Sequence, residues 1–142
     1  MGKNPKFSGV SPETSKRPRL QLGKTLPGSP VWAIARADFG GPWCPQKMQR
    51  DTLVNVLGRL KDFERSTWQD IERGGSHFIS VSNVIREAQL RLQELKLDDT
   101  DELFSLRLTG KERLWGIRSN DKFALLWWDP EHQICPAPLK NT

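Results

Sequence analysis

Cysteine is scarce in this sequence. Cys44 and Cys135 are the two present, far apart, and neither belongs to a C-x-x-C pair or a Cys/His ligand cluster. No disulfide framework and no zinc site is therefore expected, and both read as free thiols. Histidine is equally rare, with only His77 and His132, in unrelated contexts. No metal and no cofactor is expected from such a set. Long apolar runs are missing as well. No stretch approaches the ~18 consecutive apolar residues of a membrane span, and the N-terminus lacks the apolar core of a signal peptide. The expectation is a soluble, cytoplasmic protein without membrane contact.

What is present fits one globular domain. The chain has 142 residues, 36% of them apolar and 27% charged, enough to bury a core. The net charge of +5 is unevenly placed. Residues 1–30 carry Lys3, Lys6, Lys16, Arg17, Arg19 and Lys24 against Glu13 alone, so the remainder is balanced. Five prolines in that stretch forbid a continuous helix or central strand. Residues 1–30 thus read as a basic leader without fixed structure, able to attract phosphate non-specifically. Residues 31–142 read as a single α+β domain.

Hydrophobic periodicity orders that domain. Residues 31–39, "VWAIARADF", have strand-like alternation before "GGPWCP" breaks the chain. Residues 48–65 repeat Leu53, Val56, Leu57, Leu60 and Phe63 at helical spacing. Ser66 and Gln69 suggest a capping box opening a short extra turn. Residues 80–96 carry a second stripe of Val81, Val84, Ile85, Ala88, Leu92 and Leu95, with Ser80 or Ser82 as cap. His77 reads as a loop or helix-start residue.

Three strands follow, over 103–108, 112–118 and 122–128, joined by turns too short for anything but antiparallel neighbours. The predicted order is β-α-α-β-β-β. A helical hairpin covers one face of a small, mostly antiparallel sheet, and the other face stays open.

Cations gather on the last strands: Arg107, Lys111, Arg113, Arg118 and Lys122 against Glu112 and Asp121. Alternation sets Arg107 beside Ser105, away from Phe104, Leu106 and Leu108, so it is expected to project from the open face. Arg113 and Arg118 fall on opposite strand faces. Gly116 admits close approach of another backbone or a ligand. The last strand ends in "WWDPEH", where Asp129-Pro130 stops the strand and Glu131 and His132 stand at its exit.

Guanidinium forks grip phosphate oxygens and offset charge on a pentacoordinate phosphorus. Glu131 and His132 could exchange protons with the 2′-hydroxyl and the leaving 5′-oxygen of RNA, with no metal. Trp115, Trp127 or Trp128 could stack a base.

The segment "FSLRLTGKERLWGIR" feeding "FALLWWDPEH", behind a strand and two helices, resembles the RelE/ParE superfamily of bacterial toxin–antitoxin systems. The resemblance covers about residues 31–136. It implies a RelE-like fold, ribosome-dependent cleavage of mRNA or, in the ParE branch, gyrase poisoning, and a cognate antitoxin as partner. It sets Arg107, Lys111 and Arg113 on the family's basic strand–turn–strand positions. His132 falls where ribonuclease members carry histidine or tyrosine, and this chain has no tyrosine. On this reading Arg107, Arg113, Arg118, Glu131 and His132 are catalytic, and Lys111, Trp115 and Trp128 bind substrate RNA. The alternative is a noncatalytic protein- or nucleic-acid-binding module on the same fold.

Overall fold

A computed structural model describes residues 27–136. The leader proper, residues 1–26, lies outside the described residues. Residues 28–30, counted above with the leader, belong to the body. Ser29 is fully buried, its hydroxyl donates to the Ser66 carbonyl, and the Gly28 amide donates to Asp121 Oδ2 at 3.2 Å.

The order is β1 (Val31–Ala33), α1 (Arg50–Glu64), α2 (Trp68–Arg73), β2 (His77–Ser80), α3 (Arg86–Glu94), β3 (Glu102–Arg107), β4 (Arg113–Ser119) and β5 (Lys122–Asp129). Together they form an α+β fold around a mixed sheet in the order β1-β5-β4-β3-β2. β1 runs parallel to β5, and the other neighbours are antiparallel. No helix among the described residues is long and apolar enough to cross a membrane.

The predicted strands over 103–128 form with bounds shifted by a residue or so, because alternation there is strong. Elsewhere the predictions fail in part, and the first strand stops at Ala33 rather than running to residue 39. Residues 77–80 are a strand, not a helix start: His77 pairs with Ser105 and Ser80 with Glu102. The Val81–Leu95 stripe is buried as expected, but the helix begins only at Arg86, after a 3-10 turn capped by Ser80. α2 is capped one residue later than read, by Thr67, whose hydroxyl accepts from the Asp70 amide.

The larger correction concerns the open face. β2 lies between α2 and α3, so the chain passes through the sheet edge and the helices fall on opposite sides. Val56 and Phe63 of α1 and Trp68 and Ile71 of α2 pack with Phe104, Leu106, Leu114, Phe123 and Trp128. Ala88 and Leu92 of α3 pack with Leu103, Trp115 and Trp127, the alternate residues of the same strands. Neither face is bare. What remains accessible is the end of the α3 face beyond the helix.

Register is set by a bulge. Trp115 pairs with Trp127 but Gly116 with Leu125, so Leu126 is extra. A Cβ at Gly116 would meet the Ala124 carbonyl and lie 2.7 Å from the Phe123 ring. The close approach expected there is that of a backbone, not a ligand. Gly116→Ala is expected to lower stability by ~1–3 kcal/mol through overpacking, read as a lower midpoint in thermal unfolding. An unchanged midpoint would mean that the bulge relaxes freely.

Candidate active site at the end of the sheet

Strand register brings Arg107, Arg113 and Asp129 into one row, since Arg107 pairs with Arg113 and Arg113 with Asp129. The adjacent row inward is Ser105, Trp115 and Trp127, with His77 opposite Ser105. Strand parity starts these side chains from the face covered by α3, although Arg107 also lines a cleft at the sheet edge with Arg59, Asp62, Phe63 and Asp70.

Asp129 answers why an acid ends the most buried strand. It is fully buried. Its Oδ2 accepts from Trp115 Nε1 at 3.1 Å and from the Ile134 amide at 3.0 Å, and its Oδ1 from the Gln133 amide at 2.8 Å. The carboxylate thereby folds the exit turn back onto the sheet, where Ile134 is buried in the α3-side core. His132 rides on this turn in the left-handed region, with φ of 58°. That conformation is uncommon for a residue other than glycine.

The turn leaves His132 half-buried beside the cations. Burial and then the Arg113 charge hold its imidazole below the usual histidine range, with Asp129 pulling the other way and His77 and Arg107 adding to the depression. Arg113 is itself half-buried. Its Nη1 donates to the carbonyls of Thr109, Gly110 and Glu112. Burial, then the Arg107 charge, depresses its pKa. Arg107 is exposed, and its guanidinium has no carboxylate partner among the described residues. Gly75, with φ of 111°, lets Arg107 lie against the backbone: a Cβ there would be 3.0 Å from Arg107 Nη1.

The remaining expected site residues are elsewhere or otherwise engaged. Arg118 is on the opposite face, over the Trp68 ring at 4.3 Å and the Phe104 ring at 5.1 Å, and ion-paired with Glu72. It is a packing residue there, because its pairing with Phe123 fixes it on the α1–α2 side. Trp115 is fully buried, so no base can stack on it, whereas Trp128, 6% exposed, lines the groove beside His132. Lys111 and Glu131 pair with each other at 2.7 Å, tying the β3–β4 turn to the exit turn.

Two residues or features were not foreseen. His77, on β2, acts electrostatically on His132 and makes a 3.1 Å contact from Nδ1 to the Gly75 carbonyl. The residue type was visible in the sequence, its strand was not. A groove of about 740 Å³ also opens beside His132, lined among others by Trp43, Cys44, Lys47, Glu87 and Pro130. Its volume is in the range of small-ligand sites. Among the described residues no cluster of three or more His, Cys, Asp or Glu could hold a metal ion.

No protein family, curated protein or solved structure matches this chain. The reading of the site therefore rests on its own chemistry. Two guanidiniums side by side, one half-buried and one exposed, offer a cradle for a singly charged phosphodiester. An imidazole held neutral beside them offers a proton acceptor.

Proposed function

We propose that the chain is a RelE-like toxin, a metal-independent endoribonuclease that cuts mRNA, free or at the ribosome. One observation carries this: Arg107 pairs with Arg113 at the exposed end of the sheet, and both charges act on His132, which lines a groove. Arg107 and Arg113 hold the scissile phosphate and offset its developing charge. His132 takes the 2′-hydroxyl proton. The groove beside it accommodates an adjoining nucleotide. Arg118 and Trp115 have no part in this version of the site, and Trp128 contributes to the groove wall. Lys111 reaches RNA only if its pair with Glu131 opens. The partners are RNA or the ribosome and a cognate antitoxin.

A second reading keeps the noncatalytic binding module. It is favoured by α1, where Leu53, Val54 and Leu57 are exposed at 44%, 61% and 57%, although Leu53 and Leu57 belong to the stripe predicted to be buried. Such an outward apolar patch suits protein docking.

Induced expression separates the two. The nuclease reading expects growth arrest with loss of translation, relieved by Arg107→Ala and by His132→Ala. A culture that grows and translates unaffected would overturn it and leave the binding module.

A further inference from the structure

In-line displacement at phosphorus places the attacking and leaving oxygens on opposite sides of the phosphate, so two proton carriers are needed on opposite flanks. The sheet supplies such an arrangement. Arg107 on β3 and Arg113 on β4 are neighbours in the middle. His132 follows β5 on one flank. His77 is on β2, the strand on the other flank, one row inward from Arg107. These are the only two histidines in the chain. Glu131, the other proton carrier expected from the sequence, is engaged by Lys111.

The His77 ring is also oriented. Its Nδ1 is 3.1 Å from the Gly75 carbonyl, and a carbonyl only accepts, so Nδ1 carries a proton and Nε2 is the nitrogen free to act. β2 is an edge strand, and His77 is exposed.

We propose that His77 is the second proton-transfer residue of this site: as an imidazolium, with protons on both nitrogens, it donates the Nε2 proton to the leaving 5′-oxygen while His132 accepts the proton of the attacking 2′-hydroxyl. The inference rests on the endoribonuclease reading. In the step, the O2′–H bond breaks toward His132 and the O2′–P bond forms. The P–O5′ bond breaks, and its oxygen takes the His77 proton. The products are a 2′,3′-cyclic phosphate and a 5′-hydroxyl. His132 ends with one proton more and His77 with one fewer, and exchange with water restores both. No oxidant, metal or other reactant is required.

The test uses the purified full chain, with and without ribosomes, and two mRNAs. One is ordinary. The other carries a bridging 5′-sulfur at the cleaved linkage, a leaving group that departs without protonation. His77→Ala and His77→Gln are expected to slow ordinary RNA by ~10²–10⁴-fold and to cut the sulfur-substituted RNA at nearly the native rate. His132→Ala is expected to be slow on both. Circular dichroism melts check that the variants fold, and end-group analysis checks for the cyclic phosphate. If native protein cuts but the His77 variants match it on both RNAs, or are equally slow on both, the role assigned to His77 is overturned and the nuclease reading stands. If native protein cuts neither RNA under either condition, the nuclease reading falls, and this inference with it.

Discussion

Asp38→Ala is expected to lower the stability of the domain by ~3–5 kcal/mol, the cost of breaking a buried ion pair from one side. The side chain of Asp38 is 1% exposed and that of Arg91, on α3, 21%. Arg91 grips the carboxylate with both ends of its fork, Nε to Oδ2 at 2.8 Å and Nη2 to Oδ1 at 2.6 Å. Trp127 Nε1 donates to Oδ2 at 2.9 Å and the Gly40 amide to Oδ1 at 3.2 Å. One carboxylate thus ties the loop after β1 to α3 and to the middle of β5. Removing it leaves Arg91 Nε and Nη2 and an indole N–H without acceptors, although Arg91 Nη1 keeps its bond to Glu94. Urea unfolding of both chains gives the difference. Asp38→Ala combined with Arg91→Met should recover part of the loss, because no unpaired charge then remains.

The same pair fixes an acid limb of stability. The Arg91 hydrogen bond, opposed by burial, holds the Asp38 carboxyl below its usual value. The unfolded chain therefore takes up the Asp38 proton first, near pH ~3.9. Stability present above that pH is lost as the pH falls toward the folded value. In Asp38→Asn this dependence should flatten below about pH 4. An unaltered slope would assign the acid limb to other carboxylates.

The three C-terminal strands were legible because each alternates cleanly and the turns between them are short. The α3 stripe was legible because all six of its apolar residues do meet the core. β2 was hidden. Its four residues, "HFIS", pair on one side only and run straight into the Val81–Ile85 pattern, so a short edge strand looked like the start of a helix. Missing it placed both helices on one face, and the supposed open face followed from that error. The α1 stripe misled for a different reason. Its spacing is helical, but only Val56 and Phe63 are buried, and periodicity alone does not say how much of a stripe finds a partner. Strand parity and the Asp-Pro stop were enough to set Arg107 and His132 near one end of the sheet, while whether Arg113 or Arg118 joined Arg107 needed the pairing register. His77 was lost with its strand. Arg118 was misplaced because the β3–β4 register, Arg107 against Arg113, decides which of Arg113 and Arg118 shares the Arg107 face, and the sequence does not fix that register.

The decisive kinetic expectation concerns His132. On the proposed endoribonuclease reading, His132→Ala should reduce RNA cleavage by ~10²–10⁴-fold, the usual contribution of one positioned acid–base group. The pH profile adds a sign. Burial and Arg113 depress the imidazole below its ordinary value, and His77 on β2 and Arg107 on β3 act in the same direction against Asp129 on β5. A base works in its neutral form, so kcat/KM should climb with pH through a limb centred below ~6.5, and it should fall again at higher pH as the general acid loses its proton. Arg113→Gln removes one source of repulsion. The protonated imidazole becomes less unfavourable, its pKa rises, and the limb moves to higher pH even though the rate falls from the weaker phosphate grip. NMR titration of His132 in the free protein should follow the same shift, since kcat/KM reports the unbound enzyme. A merely structural histidine would give a lower rate on substitution but no displaced limb on Arg113→Gln. If the His132 titration moves while the limb stays fixed, the proton acceptor is another group, and the exit turn only shapes the groove.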